Sequence, residues 1–200
     1  MPFEESGSDS NLHYSFNAAG VHVIMLGSYT NFHPDSAQYQ WLEGDLGKID
    51  RSRTPWTVAI IHAPWYNSNT VHQWKKESDE TKASMEDLLY QARVDIVFVG
   101  HVHAYERFTR IHNGISDNCG PVHIIIGDGG NREGLANSYM DPKPDISLFR
   151  EASFGHGQFV VVNVTHALWT WHRNDDDNAF VSDSIWLRSL SSDPACQMQN

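Results

Sequence analysis

Short hydrophobic runs separated by polar turn residues recur along the chain. The runs are Val21–Leu26, Val58–Ile61, Val94–Val99, Val122–Ile126 and Phe159–Val164. They are rich in β-branched residues, and several are nearly continuous, which is typical of strands buried on both faces of a sheet. Ala167–Trp171 fits one further strand, joined to its predecessor by a short turn at Thr165 and His166. The pattern therefore predicts a largely buried sheet.

Helical periodicity fills the intervals between the first of these runs. In Asp35–Asp50, hydrophobic residues recur at every third or fourth position, and Asp35 or Ser36 is suited to cap the N-terminus. Glu80–Ala92 shows the same spacing. This order of strand, helix, strand, helix and strand predicts an α/β fold, and the hairpin-like strands near the end of the chain make its sheet mixed.

Composition limits the classes of function. A chain of 200 residues with 40% hydrophobic content can form one domain with a sizeable core. The net charge of −11 argues against nucleic acid and anionic membranes as partners, since both require clustered Lys and Arg. No apolar run has the length of a membrane span, and no signal peptide opens the sequence. The two cysteines, Cys119 and Cys196, leave the redox compartment open.

Histidines follow two of the predicted strands. His62 comes directly after Val58–Ile61, and the second strand is followed by Gly100, His101, Val102 and His103. Ligand sites in open α/β sheets form beyond the carboxyl ends of strands, so we expect the three histidines at one edge. Residues two apart in an extended segment point to the same side, so His101 and His103 are expected to face one metal cluster. A single histidine at a strand end is more often a packing residue, but this pair favours metal binding.

The segments around these histidines resemble those of plant purple acid phosphatases, which belong to the metallophosphoesterase superfamily. Four segments carry the resemblance: His-Ala-Pro-Trp-Tyr-Asn-Ser at 62–68, Gly-His-Val-His-Ala-Tyr-Glu-Arg at 100–107, Gly-Asp-Gly-Gly-Asn-Arg-Glu-Gly at 127–134 and Ala-Ser-Phe-Gly-His-Gly at 152–157. The resemblance implies an α/β/β/α sandwich of mixed β-sheets, present here only as its C-terminal half. Residues 1–190 are expected to form that C-terminal portion of the catalytic domain, and residues 191–200 a polar tail.

The same resemblance assigns expected roles to the histidines. His62 and His101 would bind an exchangeable divalent metal (Zn, Mn or Fe), and His103 would bind Fe(III). His72 matches the family's histidine that contacts substrate phosphate and assists the leaving group. The implied reaction is hydrolysis of phosphate monoesters at acidic pH by a metal-bound hydroxide. A small phosphate ester as substrate, secretion or vacuolar storage, and a possible homodimer are also implied.

Three earlier motifs of that family are absent from the sequence: Gly-Asp-x-Gly, Gly-Asp-x-x-Tyr and Gly-Asn-His. Gly44–Gly47 fits the first motif, but it lies in a predicted helix, where Asp45 is expected to be solvated. Asp128 follows a strand, but it comes after the paired histidines rather than before them. Since three neutral histidines leave two cations under-coordinated, the chain alone is expected to hold at most one metal weakly. A truncated, non-catalytic fragment that binds a metal or partner stays an alternative, as does a nucleotide phosphodiesterase.

Asn163 begins the sequon Asn-Val-Thr at the end of a predicted strand. Such sequons often occur by chance. A position beside a turn, however, leaves the amide accessible, so we expect Asn163 to be an N-glycosylation acceptor.

Overall fold

The computed structural model describes residues 2–71, 75–174 and 180–197. Within these ranges the helices are α1 (Ala37–Leu46) and α2 (Lys75–Gln91), and two short 3₁₀ helices cover Leu190–Ser192 and Pro194–Cys196. The strands are β1 (Tyr14–Ala18), β2 (Val21–Leu26), β3 (Trp56–Ile61), β4 (Ile96–Val99), β5 (Tyr105–His112), β6 (Ile115–Ser116), β7 (Val122–Ile126), β8 (Ser147–Glu151), β9 (Gly155–Val161), β10 (His166–Arg173) and β11 (Phe180–Arg188). Strands β2 and β7 have the predicted bounds.

The larger sheet is mixed, as predicted. Its order is β1-β2-β3-β4-β7-β5-β6, and β8 pairs with β5 to make eight strands. Strands β2, β3, β4 and β7 are parallel, whereas β1, β5, β6 and β8 pair antiparallel with their neighbours. A second, antiparallel sheet has the order β11-β10-β9. The carboxyl ends of the four parallel strands therefore lie at one edge of the larger sheet.

The parallel strands are covered on both faces. One face packs against the two helices through Leu42, Met85 and Leu89. The other packs against the three-stranded sheet, whose inward side chains include Trp169 and Trp171. This burial on both sides explains why the strands read as nearly continuous hydrophobic runs. The layers are thus helix, sheet and sheet, which confirms the predicted α/β class.

The helices differ in extent from their predicted ranges. Ser36 caps α1, its hydroxyl oxygen accepting a 3.2 Å hydrogen bond from the backbone N–H of Tyr39, and the helix ends at Leu46 rather than Asp50. Helix α2 begins at Lys75, before the predicted start at Glu80. Among the residues described, no helix is both long and apolar enough to pass through a bilayer.

The end of the described chain is tied to the larger sheet. Cys119 and Cys196 form a disulfide, and Cys196 is buried. The carboxylate of Asp95 accepts a 2.7 Å hydrogen bond from the backbone N–H of Leu190 and a 2.8 Å hydrogen bond from that of Thr57. These contacts hold residues 189–196 against the amino ends of β3 and β4.

Candidate metal centre

His62 and His101 meet at the carboxyl edge of the parallel strands. His62 directly follows β3, and His101 follows β4 after Gly100. The Nε2 atom of His62 lies 3.2 Å from the Nδ1 atom of His101, and the two ring centroids are 5.1 Å apart. The backbone N–H of Gly100 donates to the carbonyl of His62 at 3.0 Å and so joins the two segments. The predicted convergence of these two histidines is confirmed.

Residues 101–104 form a series of bends, so the predicted extended conformation is wrong. His101 has a φ of +64°, which is uncommon for a residue with a side chain. The N–H of Val102 donates to the carbonyl of Gly100 at 2.7 Å, and that of Ala104 donates to the carbonyl of Val102 at 2.9 Å. Backbone in a sparsely populated region is found preferentially at functional sites. His101 is therefore directed towards His62 by a turn, not by strand alternation.

His103 lines the same cavity as His62 and His101. Its Nδ1 atom is 3.2 Å from the carbonyl oxygen of Gly134 and 3.9 Å from a carboxylate oxygen of Glu133. The cavity has a volume of about 530 Å³ and is lined by His62, Gly100, His101, His103, Gly127, Gly130, Asn131 and Glu133. The loop from Gly127 to Gly134 thus contributes half of these lining residues. Asn131 and Glu133 were not predicted as site residues, because loop polar residues carry no local sign of the cavity they face.

The two touching imidazoles suit a cation. Partial burial and the nearby charge of His103 lower the pKa of His62, which favours the neutral ring that a metal requires. Metal–nitrogen bonds of about 2.0–2.1 Å place neighbouring tetrahedral ligands about 3.3 Å apart, close to the 3.2 Å seen here. Within the described ranges, no three His, Cys, Asp or Glu side chains are arranged to hold a metal by themselves. As metal ligands, His62 and His101 would therefore need further ligands to complete a site.

Asp45 lies on α1, as predicted, but it is buried rather than solvated. One carboxylate oxygen accepts a 2.7 Å hydrogen bond from the hydroxyl of Ser15, and the other lies 2.9 Å from Nε2 of His22. His22 lies near the start of β2, at the edge of the sheet opposite His62 and His101. These partners come from the antiparallel pair β1 and β2, which is why helical periodicity alone gave the wrong exposure.

Asp128 belongs to the cavity loop, but its side chain is fully buried. Its Oδ2 atom accepts a 2.7 Å hydrogen bond from the indole N–H of Trp171, and its backbone carbonyl accepts one of 3.0 Å from Gly155. The neighbouring residues Gly127 and Gly130 line the cavity, whereas Asp128 points away into the second sheet. The hydrogen bonds from Trp171 and Gly155 to Asp128 therefore hold the start of the loop from Gly127 to Gly134 against the second sheet.

The metal-ligand roles of the three histidines stay predictions, and so do the roles of the two remaining sites, His72 and Asn163. His72 lies outside the described residues. Asn163 is exposed, and its Oδ1 atom accepts hydrogen bonds of 2.8 Å each from the N–H and hydroxyl of Thr165 and from the N–H of His166. The turn leaves the sequon at the surface, where a glycosylating enzyme could reach it.

Two family models match the sequence over most of its length. Residues 1–105 match the model described as calcineurin-like phosphoesterase, and residues 120–184 match the iron/zinc purple acid phosphatase-like protein C model. The chain belongs to the calcineurin-like phosphoesterases. The first match ends at the start of β5, and it contains His62, His101 and His103.

Among the calcineurin-like phosphoesterases, the similarity is to plant purple acid phosphatases. Probable purple acid phosphatase 20 of Arabidopsis thaliana is 69% identical over 99% of this chain and 46% of its own length. The Fe(3+)-Zn(2+) purple acid phosphatase 12 of the same plant is 42% identical over 93% of this chain and 42% of its own length. The chain therefore spans less than half the length of these curated relatives.

The fold agrees with a solved structure of the same class. A purple acid phosphatase from yellow lupin (Lupinus luteus) seeds superposes with a TM-score of 0.78 at 21% identity, over 94% of this chain and 36% of that protein. At this identity the match concerns the fold alone. The mixed α/β arrangement of this calcineurin-like phosphoesterase is thus the metallophosphoesterase fold.

Proposed function

We propose that this chain supplies the histidine ligands of a dinuclear metal centre in an acid phosphatase that hydrolyses phosphate monoesters. The 3.2 Å contact between His62 and His101 carries the proposal, because two imidazoles at a strand edge have little use in packing. The high identity to plant purple acid phosphatases supports the reaction class.

The proposed ligand assignment follows the family resemblance. His62 and His101 bind a divalent metal (Zn, Mn or Fe), and His103 binds Fe(III). The name of one relative, a Fe(3+)-Zn(2+) phosphatase, supports this metal pair. When bound, the metals supply positive charge against the phosphoryl oxygens and acidify water. His72 is proposed to contact the phosphate and to assist the departing oxygen.

The chain's own groups orient the ligands. The carbonyl oxygen of Gly134, 3.2 Å from Nδ1 of His103, can accept the proton of that nitrogen. This hydrogen bond fixes the tautomer in which Nε2 presents its lone pair, as is usual for histidine ligands of metals. Glu133, with a carboxylate oxygen 3.9 Å from the same nitrogen, adds a negative charge that favours a cation. The loop from Gly127 to Gly134 therefore acts as a supporting shell for His103.

The disulfide between Cys119 and Cys196 supports a secreted or vacuolar location, since such bonds persist in oxidising compartments. A glycan on Asn163 would fit the same route through the cell. The substrate is proposed to be a small phosphate ester.

The decisive experiment measures zinc binding by calorimetry, together with hydrolysis of p-nitrophenyl phosphate at acidic pH in the presence of iron and zinc. His62→Ala and His101→Ala should each weaken zinc binding by at least about 10-fold. His166→Ala is the matched control, because His166 is exposed and follows the turn at Asn163. Equal zinc affinity in all three variants and the unchanged chain would refute the proposed site.

A non-catalytic role is the second candidate for this chain by itself. The described residues hold no three-ligand cluster, which favours weak binding of one metal without turnover. Zinc binding that depends on His62 and His101, with no hydrolysis, would support this candidate. Hydrolysis that also depends on them would support the phosphatase.

A further inference from the structure

Tyr29 lies beside His62 at the edge of the metal cavity. Its ring centroid is 5.8 Å from that of His62, with an angle of 50° between the planes. The side chain is 70% exposed, the largest value among the large hydrophobic residues that the structure describes. Tyr29 belongs to the loop after β2, so it reaches the site from a third parallel strand. An aromatic ring is thus presented to solvent next to the metal-binding edge.

The backbone around Tyr29 is held by a buried side chain of α1. Oε1 of Gln38 accepts a 2.7 Å hydrogen bond from the N–H of Gly27. Nε2 of Gln38 donates to the carbonyl oxygens of Gly27 and Asn31, at 3.1 and 3.4 Å. Gln38 is only 2% exposed, so these bonds are shielded from competing water. One amide therefore fixes both ends of the five-residue segment that carries Tyr29.

The same loop is tied to the histidine segment. The hydroxyl of Ser28 accepts a 2.8 Å hydrogen bond from the backbone N–H of Ala63, the residue after His62. A Cβ atom at Gly27 would lie 2.9 Å from the backbone carbonyl oxygen of Leu12, so a side chain there would force the backbone to shift. The position of the Tyr29 backbone relative to His62 is thereby set, while its ring stays in solvent. Such an arrangement suits contact with a ligand rather than core packing.

We propose that Tyr29 contacts the organic group of the phosphate ester and favours aromatic over aliphatic substituents. This inference rests on the proposed function. When phosphate is held at the histidines, its substituent has to extend out of the polar cavity. The ring of Tyr29, whose centroid is 5.8 Å from that of His62, then offers an apolar face to this substituent. Aromatic rings prefer stacked or edge-to-face contacts with other rings, so a planar substituent gains more than an alkyl chain.

The experiment compares the binding of phenylphosphonate and methylphosphonate to the zinc-loaded chain by calorimetry. Their phosphorus–carbon bonds are not hydrolysed, so the readout does not depend on turnover. Tyr29→Ala should weaken phenylphosphonate binding by about 2- to 13-fold, the factor expected for an aromatic pair, and leave methylphosphonate unchanged. Tyr29→Phe should bind both ligands as the unchanged chain does. Ile115→Ala, at an equally exposed residue (68%) on β6, is the control.

The outcomes separate this inference from the function on which it rests. If the unchanged chain binds neither phosphonate, the phosphate site itself is refuted and the role of Tyr29 falls with it. If both bind and Tyr29→Ala keeps the same preference, only the role of Tyr29 is overturned. If Tyr29→Phe no longer binds phenylphosphonate in preference to methylphosphonate, the preference depends on the Tyr29 hydroxyl. That result would overturn the proposed contact between aromatic rings. Thermal unfolding of each variant confirms that the compared proteins are folded.

Discussion

The indole N–H of Trp171 donates a 2.7 Å hydrogen bond to the carboxylate of Asp128. The other carboxylate oxygen, Oδ1, is buried without a hydrogen-bond partner among the described residues. Burial is the main cause that raises the pKa of Asp128 to about 6, and the hydrogen bond from Trp171 opposes it. The Asp128 carboxyl group therefore binds a proton more tightly in the folded protein than in the unfolded chain.

Asp128→Asn tests this relationship. The stability contributed by the raised pKa is present below about pH 4 and is lost as the pH rises through about 6. The amide keeps the acceptor for Trp171 and removes the buried charge. The variant should therefore match the unchanged protein at pH 4 and be more stable by about 1–3 kcal/mol at neutral pH. Urea unfolding across this pH range provides the measurement. The exposed Asp145→Asn serves as the control, and an equal effect at both positions would contradict the assignment.

The backbone at His101 gives a prediction that does not require metal. Since φ is +64°, His101→Gly should be more stable than His101→Ala by about 1 kcal/mol. At His103, which does not share that conformation, the alanine variant should be the more stable of the two, as at ordinary positions. Denaturant unfolding of the four variants measures both differences. The same order at both positions would show that the turn at His101 has been misread.

Gly157 packs its backbone against the ring of Trp169. A Cβ atom at Gly157 would lie 1.8 Å from that ring, so Gly157→Ala should lower the free energy of unfolding by about 1–3 kcal/mol. Gly129→Ala has open space around its Cβ and should change it by less than about 1 kcal/mol. Thermal and urea unfolding distinguish the two. A tolerated Gly157→Ala would mean that the second sheet packs less closely than described.

The disulfide closes a large loop, because Cys119 and Cys196 are 77 residues apart in sequence. Replacing both with serine should destabilise the protein by about 4 kcal/mol, chiefly by enlarging the unfolded ensemble. Unfolding with and without a reducing agent provides the check. The reductant should bring the unchanged protein to the stability of the double variant and leave that variant unaffected. Insensitivity of the unchanged protein to reduction would argue against the bond.

Local hydrophobic pattern was enough to predict β2 and β7, whose side chains are mostly buried on both faces. The same pattern did not predict β5, because the charged residues Glu106 and Arg107 lie among its hydrophobic residues. Both are buried, and both have partners distant in sequence: the carboxylate of Glu106 accepts from Ser68, and Arg107 binds Asp183 of β11. A local pattern cannot show that a charged residue is neutralised by a residue 76 positions away.

The same reasoning applies to the site. The paired histidines stood out because two polar rings follow a buried strand, and His62 and His101 were correctly placed together. Tyr29 was not predicted, since a tyrosine in a polar loop has no periodic signal. Only the tertiary contact with His62 distinguishes it from any other exposed aromatic residue.

The bonds from Gln38 have a consequence for how this protein could diverge. They hold the backbone at Gly27 and Asn31, on either side of Tyr29, and leave the Tyr29 side chain exposed to solvent. If Tyr29 contacts the substrate as proposed, a replacement at that position should alter which substrates bind while sparing the fold. A change in loop length would instead disrupt the hydrogen bonds from Gln38. Substrate preference could then drift through single-codon changes, without insertions or deletions in the loop.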